Sequence, residues 1–479
     1  MKVSEVLHDA TLRVLQRTGV RVGSDLALDL LAAGGIRVDR VSGRVYPDEG
    51  QVQRAFATAP HAYQVYGRDP GRPLTVGGRH AHVLSGGGSV RVLTLDGRYE
   101  PSTWEHLRQF NLLLDALPHI HLLLNQVDPQ NDGDPATFYK RLAAEMLIGS
   151  PKPCCFQAGN AEDVAAMIEM GVVLRGSPQA LAAKPVFIVG SNAEPPLYIP
   201  QHAAEIQIEA SRAGIPCGIG DYGMLGITAP ISVAGLVVQL NAVQLTTMIL
   251  SQIVRPGAPF SYTSFSGSGN MRTLDPIIAD PRTTRMLRLA AELGRSYDLP
   301  VYSEAVTDAK MADPQAACER AVQMYVAVEA GANLIQGPTS HMDEMMLSSF
   351  AQAVIDDDIV GYVLAASRPP EISEEALALD VIHEVATDPM YAGLRYAMHP
   401  HTAAHVRDEL WRPHTFIYDT YEQWQRAGGR TVLQRAEDVA REILSTHRPQ
   451  PLAADQEREI RRIALSGPKG QRQHYASPR

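Results

Sequence analysis

The feature that most constrains the fold is a repeated alternation of short apolar runs and longer stretches with helical periodicity. Between residues 79 and 368, eight runs rich in β-branched residues are each followed by a stretch long enough for a helix. This alternation is typical of parallel βα units, whose strands are buried on both faces. The candidate strands are 82–85, 121–127, 153–158, 186–191, 216–221, 260–265, 300–304 and 333–336.

Eight such units predict an α/β fold of the (β/α)8 TIM-barrel type. An open doubly wound sheet is the alternative, but the glycine-rich stretch at 85–89, SGGGS, lacks the G-x-G-x-x-G spacing of a dinucleotide site. Because the region of the first strand is rich in glycine, β-hairpins are an alternative structure for it. We expect an N-terminal helical extension at 1–78, a TIM-barrel catalytic domain at 79–368, a C-terminal helical extension at 369–449 and a flexible tail at 450–479.

Composition narrows the partners and the compartment. The formal net charge of −10 gives no general attraction for nucleic acid or for anionic lipid surfaces. Four cysteines without a C-x-x-C pair predict reduced thiols and a cytoplasmic location. The uncharged stretch 231–254 is long enough to span a bilayer, but polar residues recur through it, so a buried helix is favoured.

The carboxyl ends of the strands nominate the functional residues, because TIM-barrel chemistry lies at that end. Aromatic rings and amides dominate there, and together they suit a quaternary ammonium ion, which has no N–H to donate and is held by ring faces. Asp221 and Glu304 would balance its charge. The proposed ring donors are Phe156, Tyr222, Tyr262 and Phe265.

Amides and one histidine complete the candidate site. Gln157, Asn192 and Gln336 would orient a carboxylate of the substrate, and His341, in the loop after the last strand, would order water or the substrate's anionic end. Zinc is a competing idea, but Cys154 and Cys155 are strand neighbours whose side chains point to opposite faces. No H-E-x-x-H or G-x-S-x-G motif is present.

Several segments, in order along almost the whole chain, resemble the trimethylamine methyltransferase family. The main ones are GDYGMLGITAPISVAGLVVQLNAVQL at 220–245, VRPGAPFSYTSF at 254–265, LPVYSEAVTDAKMADPQAACE at 299–319 and GANLIQG at 331–337. The flanks YGRDP at 66–70 and HPHTAAHVRDELWRP at 399–413 agree. Each motif is weak alone, and their order makes the resemblance specific.

This resemblance implies a TIM-barrel enzyme of methylamine metabolism, related to methanogenesis, that moves a methyl group from an amine to the cobalt of a separate corrinoid protein. The corrinoid belongs to that partner, and no cofactor is expected in this chain. The founding archaeal enzymes carry pyrrolysine near the loop that is 336–349 here. This chain has none, so it is similar to the non-pyrrolysine branch, whose characterised members demethylate quaternary amines such as glycine betaine.

The sequence therefore predicts a cytoplasmic, homo-oligomeric methyltransferase acting on a small, betaine-like quaternary amine. Asp221, Glu304 and His341 are the expected catalytic residues. Two alternatives stay open: another TIM-barrel enzyme, such as a zinc-dependent methyltransferase or a lyase, and a non-catalytic protein that binds quaternary amines.

Overall fold

The centre of the molecule is a closed ring of eight parallel strands. The computed structural model describes residues 2–131, 134–393 and 395–467. Each strand pairs in parallel with the next, and β8 returns to β1 through the pairing of Leu334 with His82. The strands are β1 (His82–Leu84), β2 (122–123, two isolated bridges), β3 (Cys154–Gln157), β4 (Phe187–Ala193), β5 (Cys217–Leu225), β6 (Tyr262–Thr263 and Phe265–Gly269), β7 (Val301–Glu304) and β8 (Leu334–Gln336). The predicted TIM barrel is confirmed.

A helix follows each strand and packs on the outside of the ring. Side-chain caps begin most of them, including Asn160, Asp280 and Asp313, and proline opens two of these at the first position. The helices are α1 (Trp104–Ala116), α2 (Phe138–Gly149), α3 (Ala161–Arg175, then Pro178–Ala183), α4 (Gln201–Ala213), α5 (Val233–Val254), α6 (Pro281–Ser296), α7 (Pro314–Ala330) and α8 (Phe350–Ala366). A hairpin, Arg91–Leu93 with Tyr99–Pro101, extends the β1–α1 loop.

Helix α5 is the uncharged stretch for which burial was favoured over membrane insertion. Among the described helices it alone is long and apolar enough to span a bilayer, and 83% of its most apolar 18-residue window is buried inside the protein. Its amides bind within the core: Gln244 Nε2 donates to the Ile219 carbonyl at 2.6 Å. Burial and internal hydrogen bonds fit a core helix of the barrel.

The sequence predicted that the N-terminal segment is helical, but the segment also contains strands. It contains three helices, Val3–Arg17, Asp25–Ala33 and Glu49–Thr58, but also short strands. Strands this short carry too few alternating residues to be recognised in a sequence. Three of them, Val20–Val22, Arg37–Asp39 and Arg44–Tyr46, form a sheet with Tyr198–Ile199, and two more, Ala62–Tyr66 and Pro73–Gly77, pair as an antiparallel hairpin.

That second hairpin closes the amino-terminal end of the barrel, and it is called the plug below. Its Tyr63, Val65 and Val76 are buried in one cluster with Leu122 and Leu334 from the barrel interior. The Tyr63 hydroxyl lies 2.7 Å from Ser261 Oγ, so these two buried hydroxyls are paired with each other. The barrel interior is therefore filled with apolar side chains at this end.

The C-terminal segment wraps the outside of the barrel. Its helices are Glu374–Leu377, Leu379–Thr387, Pro400–Glu409, Tyr421–Arg426, Val432–Thr446 and Ala454–Ala464, with 3-10 turns at Pro389–Tyr391 and Arg395–Met398. The expectation of a flexible tail from 450 is wrong for Ala454–Ala464, which packs on α2 and α3 and buries Ile460 and Ile463. Its two apolar residues sit among charges, which hid the amphipathic pattern. Residues 468–479 of that tail lie outside the described residues.

Candidate active site

A cavity of about 530 Å³ opens at the carboxyl end of the barrel, where TIM-barrel enzymes keep their chemistry. Inward-facing residues of β3 to β8 form its walls, and the first turns of α2, α3 and α4 form its rim. The wall residues are Cys155, Gln157, Gly190, Asn192, Gly218, Gly220, Tyr222, Thr263, Phe265, Tyr302, Glu304 and Gln336, and the rim includes Tyr139, Asn160, Asp163 and His202.

Glycine at inward-facing positions makes room for the cavity. A Cβ on Gly220 would come within 2.7 Å of Asn192 Oδ1 and 2.8 Å of the Phe265 ring. A Cβ on Gly218 would lie 2.5 Å from Thr263 Oγ1. A side chain at Gly218 or Gly220 would therefore displace these cavity-lining neighbours.

Three aromatic side chains stand together on neighbouring strands β5, β6 and β7. The Phe265 and Tyr302 rings meet edge to face, with centroids 5.1 Å apart at 85°. The Tyr222 ring is 6.4 Å from Phe265. Tyr222, Phe265 and Tyr302 form what we call the aromatic cage, and ring faces arranged in this way attract soft cations.

Glu304 is the carboxyl group inside this cage, and it is 1% exposed. Its Oε1 accepts a hydrogen bond from the Ser266 backbone N–H at 3.0 Å. Burial raises the pKa of Glu304 to about 8, against the smaller lowering effects of Ser266 and Tyr222. The Tyr222 hydroxyl is near this carboxyl but outside hydrogen-bonding geometry, and it has no partner among the described residues. A carboxyl this poorly compensated would be stabilised in its ionised form by a bound cation.

The predicted amides line the cavity, but they are not equivalent. Gln336 Oε1 accepts a hydrogen bond from the Tyr302 hydroxyl at 2.6 Å, which fixes the orientation of that ring. Asn192 is exposed at the opening, and Gln157 is half-buried on β3. Gln157 and Asn192 are therefore available to a ligand, whereas Gln336 acts through Tyr302.

Three other predicted residues do not line the cavity, because their side chains are on the outer face of their strands. Asp221 lies between Gly220 and Tyr222, which both face inward, so its carboxyl points the other way. It is buried with no hydrogen-bond partner in the described part of the chain, and burial raises its pKa to about 7. The ring of Phe156 packs on Phe187, at 4.8 Å.

Tyr262 is the third of these residues, and it belongs to the layer between strand and helix. Its hydroxyl donates to Asn241 Oδ1 of α5 at 3.1 Å, and its ring packs edge-on against Tyr297. The residue is fully buried there. Tyr262 therefore supports the core and cannot contribute a ring to the cage.

His341 is also separated from the cavity. It lies in a hairpin, His341–Met342 with Leu347–Ser349, where its ring is buried behind Gly87. Burial and the nearby Arg320 lower its pKa to about 3, so the imidazole is neutral. Its Nδ1 has no partner among the described residues, and its Nε2 is 3.4 Å from the Gln126 carbonyl. Met345 of the same hairpin reaches the cavity instead.

The strand-end rule missed several lining residues. Tyr302 lies two residues before Glu304 on β7, so the period of a strand places both on the same face and could have identified it. Tyr139, Asn160 and His202 belong to first turns of helices, for which the strand pattern carries no signal.

One group of possible metal ligands occurs among the described residues, and it lies outside the cavity. Asp357 and Asp358 of α8 approach His414, with ligand atoms within 4.8 Å of one another. Both carboxylates already accept hydrogen bonds: Asp357 from His119, and Asp358 from the backbone N–H groups of His414 and Thr415. This group joins α8 to the C-terminal segment.

Exposed apolar side chains lie on loops at the same end of the barrel as the cavity. They come from the loops that follow β5, β6, β7 and β8, and Gly226 brings two of these loops together because Ile231 and Met271 both pack on it. We call these residues the apolar rim: Ile231 (54% exposed), Met271 (60%), Leu274 (62%), Met311 (60%) and Met346 (48%). Apolar residues clustered at an opening are typical of a surface that binds another molecule.

Almost the whole chain is similar to known methyltransferases. A family model described as Trimethylamine methyltransferase (MTTB) matches residues 2–464. The chain is 29% identical over 449 residues to trimethylamine methyltransferase MttB of Desulfitobacterium hafniense (strain DSM 10664 / DCB-2), covering 93% of this chain and 89% of the relative. It is 25% identical over 447 residues to glycine betaine methyltransferase of Desulfitobacterium hafniense (strain Y51), covering 93% and 92%.

Two further similarities are informative. L-carnitine:corrinoid methyltransferase of Eubacterium limosum is 27% identical over 381 residues, which cover 78% of this chain and 77% of the relative. Among solved structures, the hydroxylamine complex of MtmB superposes with a TM-score of 0.50 at 10% identity, over 93% of this chain and 92% of the other. At that identity the structural likeness bears on the fold alone.

Proposed function

Because the chain belongs to the trimethylamine methyltransferase family, we propose that it transfers a methyl group from a small quaternary amine to the cobalt of a separate corrinoid protein. The relatives' names include trimethylamine, glycine betaine and carnitine, so they support methyl transfer and leave the amine open. The observation that carries the choice of a quaternary amine is the aromatic cage around the buried carboxyl of Glu304.

The cage would hold the cation through ring faces and charge. Each ring contributes about 0.5–2 kcal/mol of cation–π attraction, the larger value where water is excluded. Ionised Glu304 would supply the balancing charge from within the same site. Tyr302, fixed by Gln336, would keep its ring in place, so that little entropy is lost when the ligand binds.

The proposed reaction asks little acid–base chemistry of this chain. A quaternary ammonium leaves as a neutral amine, so no proton has to be added before the C–N bond breaks. The partner's reduced corrinoid supplies the nucleophile. The residues of the cage have to orient the ammonium, exclude water and direct one methyl group towards the opening. His341 and Asp221, which do not reach the cavity, have no part in this step.

The opening of the cavity is accessible to a partner protein that carries its own cofactor. The cavity opens at the same end as the loops that carry the apolar rim, so a protein docked there would cover the amine and bring its reactive face to it. We propose Met271, Leu274, Met311 and Met346 as contacts for this partner.

The decisive experiment is a methyl-transfer assay with purified protein, a reduced corrinoid protein or free cob(I)alamin, and a panel of quaternary and tertiary methylamines. The expected result is the spectrum of methylated corrinoid with a quaternary amine. Tight amine binding without transfer to any acceptor would favour the non-catalytic binding protein, and activity that follows stoichiometric zinc would favour the zinc enzyme.

The proposed docking surface has its own test within this assay. Met271→Asp is expected to reduce transfer to the corrinoid protein about tenfold or more, because it places a charge in an apolar contact. Transfer to free cob(I)alamin by the same preparation should be unchanged. A matched variant on the outer surface, Tyr325→Asp on α7, should affect neither acceptor.

We also propose that the protein works in the cytoplasm as a homo-oligomer. Exposed apolar residues on the C-terminal segment, among them Ile372, Leu379 and Met390, are consistent with subunit contact. Light scattering coupled to size-exclusion chromatography tests this, and a monomer at working concentration would contradict it.

A further inference from the structure

The charges along the cavity are unusually one-sided. Among the described lining residues, Asp163 and Glu304 are the acidic side chains and His202 is the single imidazole. No lysine or arginine lines this part of the structure. The remaining polar lining consists of neutral amides and hydroxyls. A cavity of this kind offers charge compensation to a cation and none to an anion.

Two lysines near the mouth are already engaged, and Arg272, in the loop after β6, does not line the cavity. Lys310, in the loop after β7, is 2.9 Å from Asp343 and 3.4 Å from Glu344. Lys140, next to the rim residue Tyr139, is buried and donates to the Ser466 carbonyl at 2.6 Å. Neither can approach a ligand in the cavity without first breaking these contacts.

A helix N-terminus could replace a basic side chain as a carboxylate site, but α3 is not available for this. Its capping residue, Asn160, accepts the Asp163 backbone N–H at 3.0 Å. Asp163 in turn accepts the Gly159 N–H at 3.0 Å through its carboxylate. The Gly159 and Asp163 amides at this helix end are therefore paired within the chain, and Asp163 places a carboxyl group beside the others.

The N-terminus of α4 is less well capped, but its surroundings are acidic. His202 lies in its first turn and lines the cavity, with Glu194 and Glu205 as its charged neighbours. Burial lowers the pKa of His202 and outweighs the opposing effect of the two glutamates. The imidazole is therefore neutral near pH 7, and the fixed charges around it repel a carboxylate.

From these observations we infer that the substrate is a monocation whose remainder carries no carboxylate, of the tetramethylammonium or choline kind, rather than a betaine or carnitine. This inference rests on the proposed function, since it uses the same cage. The ammonium occupies Tyr222, Phe265 and Tyr302 beside Glu304. The neutral remainder, a methyl or a hydroxyl-bearing arm, lies against Gln157 and Asn192.

A carboxylate in this cavity would be desolvated beside Glu304 with no cationic partner, and such a group binds poorly. The sequence-based expectation that Gln157, Asn192 and Gln336 orient a carboxylate is therefore replaced. Neutral amides pair well with a hydroxyl, but they do not neutralise a charge.

The test compares choline chloride and tetramethylammonium chloride with glycine betaine and carnitine, by titration calorimetry and by methyl transfer to the corrinoid protein. We expect at least one monocation to exceed both carboxylates by about tenfold or more in Kd and in kcat/KM, the usual cost of an unpaired buried charge. A betaine or carnitine that matches or exceeds both monocations overturns the inference and leaves the proposed function intact. Binding in the expected order without any transfer overturns the proposed function alone.

Variants test whether charge sets the substrate preference. The measured quantity is the ratio of kcat/KM for two substrates with the same preparation, so a general loss of activity cancels. Asn192→Lys supplies the missing cation at the opening and is expected to shift the choline-to-betaine ratio of kcat/KM towards betaine by about tenfold. Glu329→Gln, an exposed change on the outer face of α7, should shift it less than about threefold. If Asn192→Lys is folded by thermal unfolding and leaves the ratio unchanged, charge does not set the preference and the inference fails.

Discussion

The two ends of the barrel interior are built from the same strands, but one is packed with apolar side chains and the other contains polar groups that are poorly paired. At the closed end, Val65 and Val76 of the plug meet Leu122 and Leu334, and the buried hydroxyls of Tyr63 and Ser261 are paired with each other. At the open end, Glu304 is buried with a pKa raised to about 8, and the Tyr222 hydroxyl beside it has no partner among the described residues. One end contributes stability, and the other keeps polar groups ready for a ligand at some cost in stability.

The largest effect should come from breaking the closed end. Leu334→Ala removes a fully buried side chain from the cluster and is expected to lower the free energy of unfolding by about 3 kcal/mol. KM for the amine should change less than about twofold, because Leu334 does not line the cavity. Denaturant unfolding and steady-state kinetics measure the two; a large KM effect with little loss of stability would contradict the division between the ends.

The reciprocal change is Glu304→Gln at the open end. Removing the charge that balances the ammonium should cost about 2 kcal/mol of transition-state binding, or roughly a 30-fold loss in kcat/KM. Stability should stay the same or rise, because a neutral amide replaces a poorly compensated carboxyl. The same kinetic and unfolding measurements apply, and a destabilised variant with unaltered kcat/KM would assign Glu304 to the core.

Ligand binding and folding stability should depend on pH in opposite directions through Glu304. Cation binding requires ionised Glu304, whose pKa in the free site is about 8, so affinity for a quaternary amine should rise about tenfold per pH unit up to that value and then level off. Conversely, a carboxyl with a raised pKa favours the folded state at low pH, and this contribution is lost as the pH rises towards 8. Calorimetry across pH 6–9 measures the first effect, and Glu304→Gln should abolish it.

The smallest predicted effect concerns a single ring. Phe265→Leu keeps an apolar side chain but removes one face of the cage, which should cost about 1 kcal/mol, or roughly fivefold in Kd for the cation. Tyr302→Phe retains its ring and should cost less. A neutral ligand of the same shape, such as 3,3-dimethylbutan-1-ol in place of choline, serves as the control; equal losses for both ligands would mean that the ring acts by packing alone.

The fold was accessible from the sequence because the barrel strands are short apolar runs, each followed by a helix, and most of these helices begin at a side-chain cap. The site was accessible only in part, because the strand-end rule identifies a level in the barrel and not a face. It selected Tyr222, Phe265 and Glu304, which point inward, and also Asp221 and Tyr262, which do not. The alternation along each strand would have separated them once one inward residue was known.

His341 shows a different limit. The loop after β8 folds back as a hairpin through three consecutive residues with positive φ, Asp343, Glu344 and Met345. Non-glycine residues adopt that conformation only when surrounding contacts impose it, so no local pattern announces the turn. The turn buries His341 and presents Met345 to the cavity. The C-terminal helix Ala454–Ala464 was missed for a related reason, since its burial depends on grooves made by α2 and α3.

The plug has a consequence for the order of events during turnover. Since the barrel is closed at its far end, the amine and its demethylated product pass through the same opening that the corrinoid partner would cover. The amine must then enter before the partner docks, and the product leaves only after the partner departs. Excess partner should therefore slow turnover by capping barrels that hold no substrate, and raising the amine concentration should relieve that inhibition.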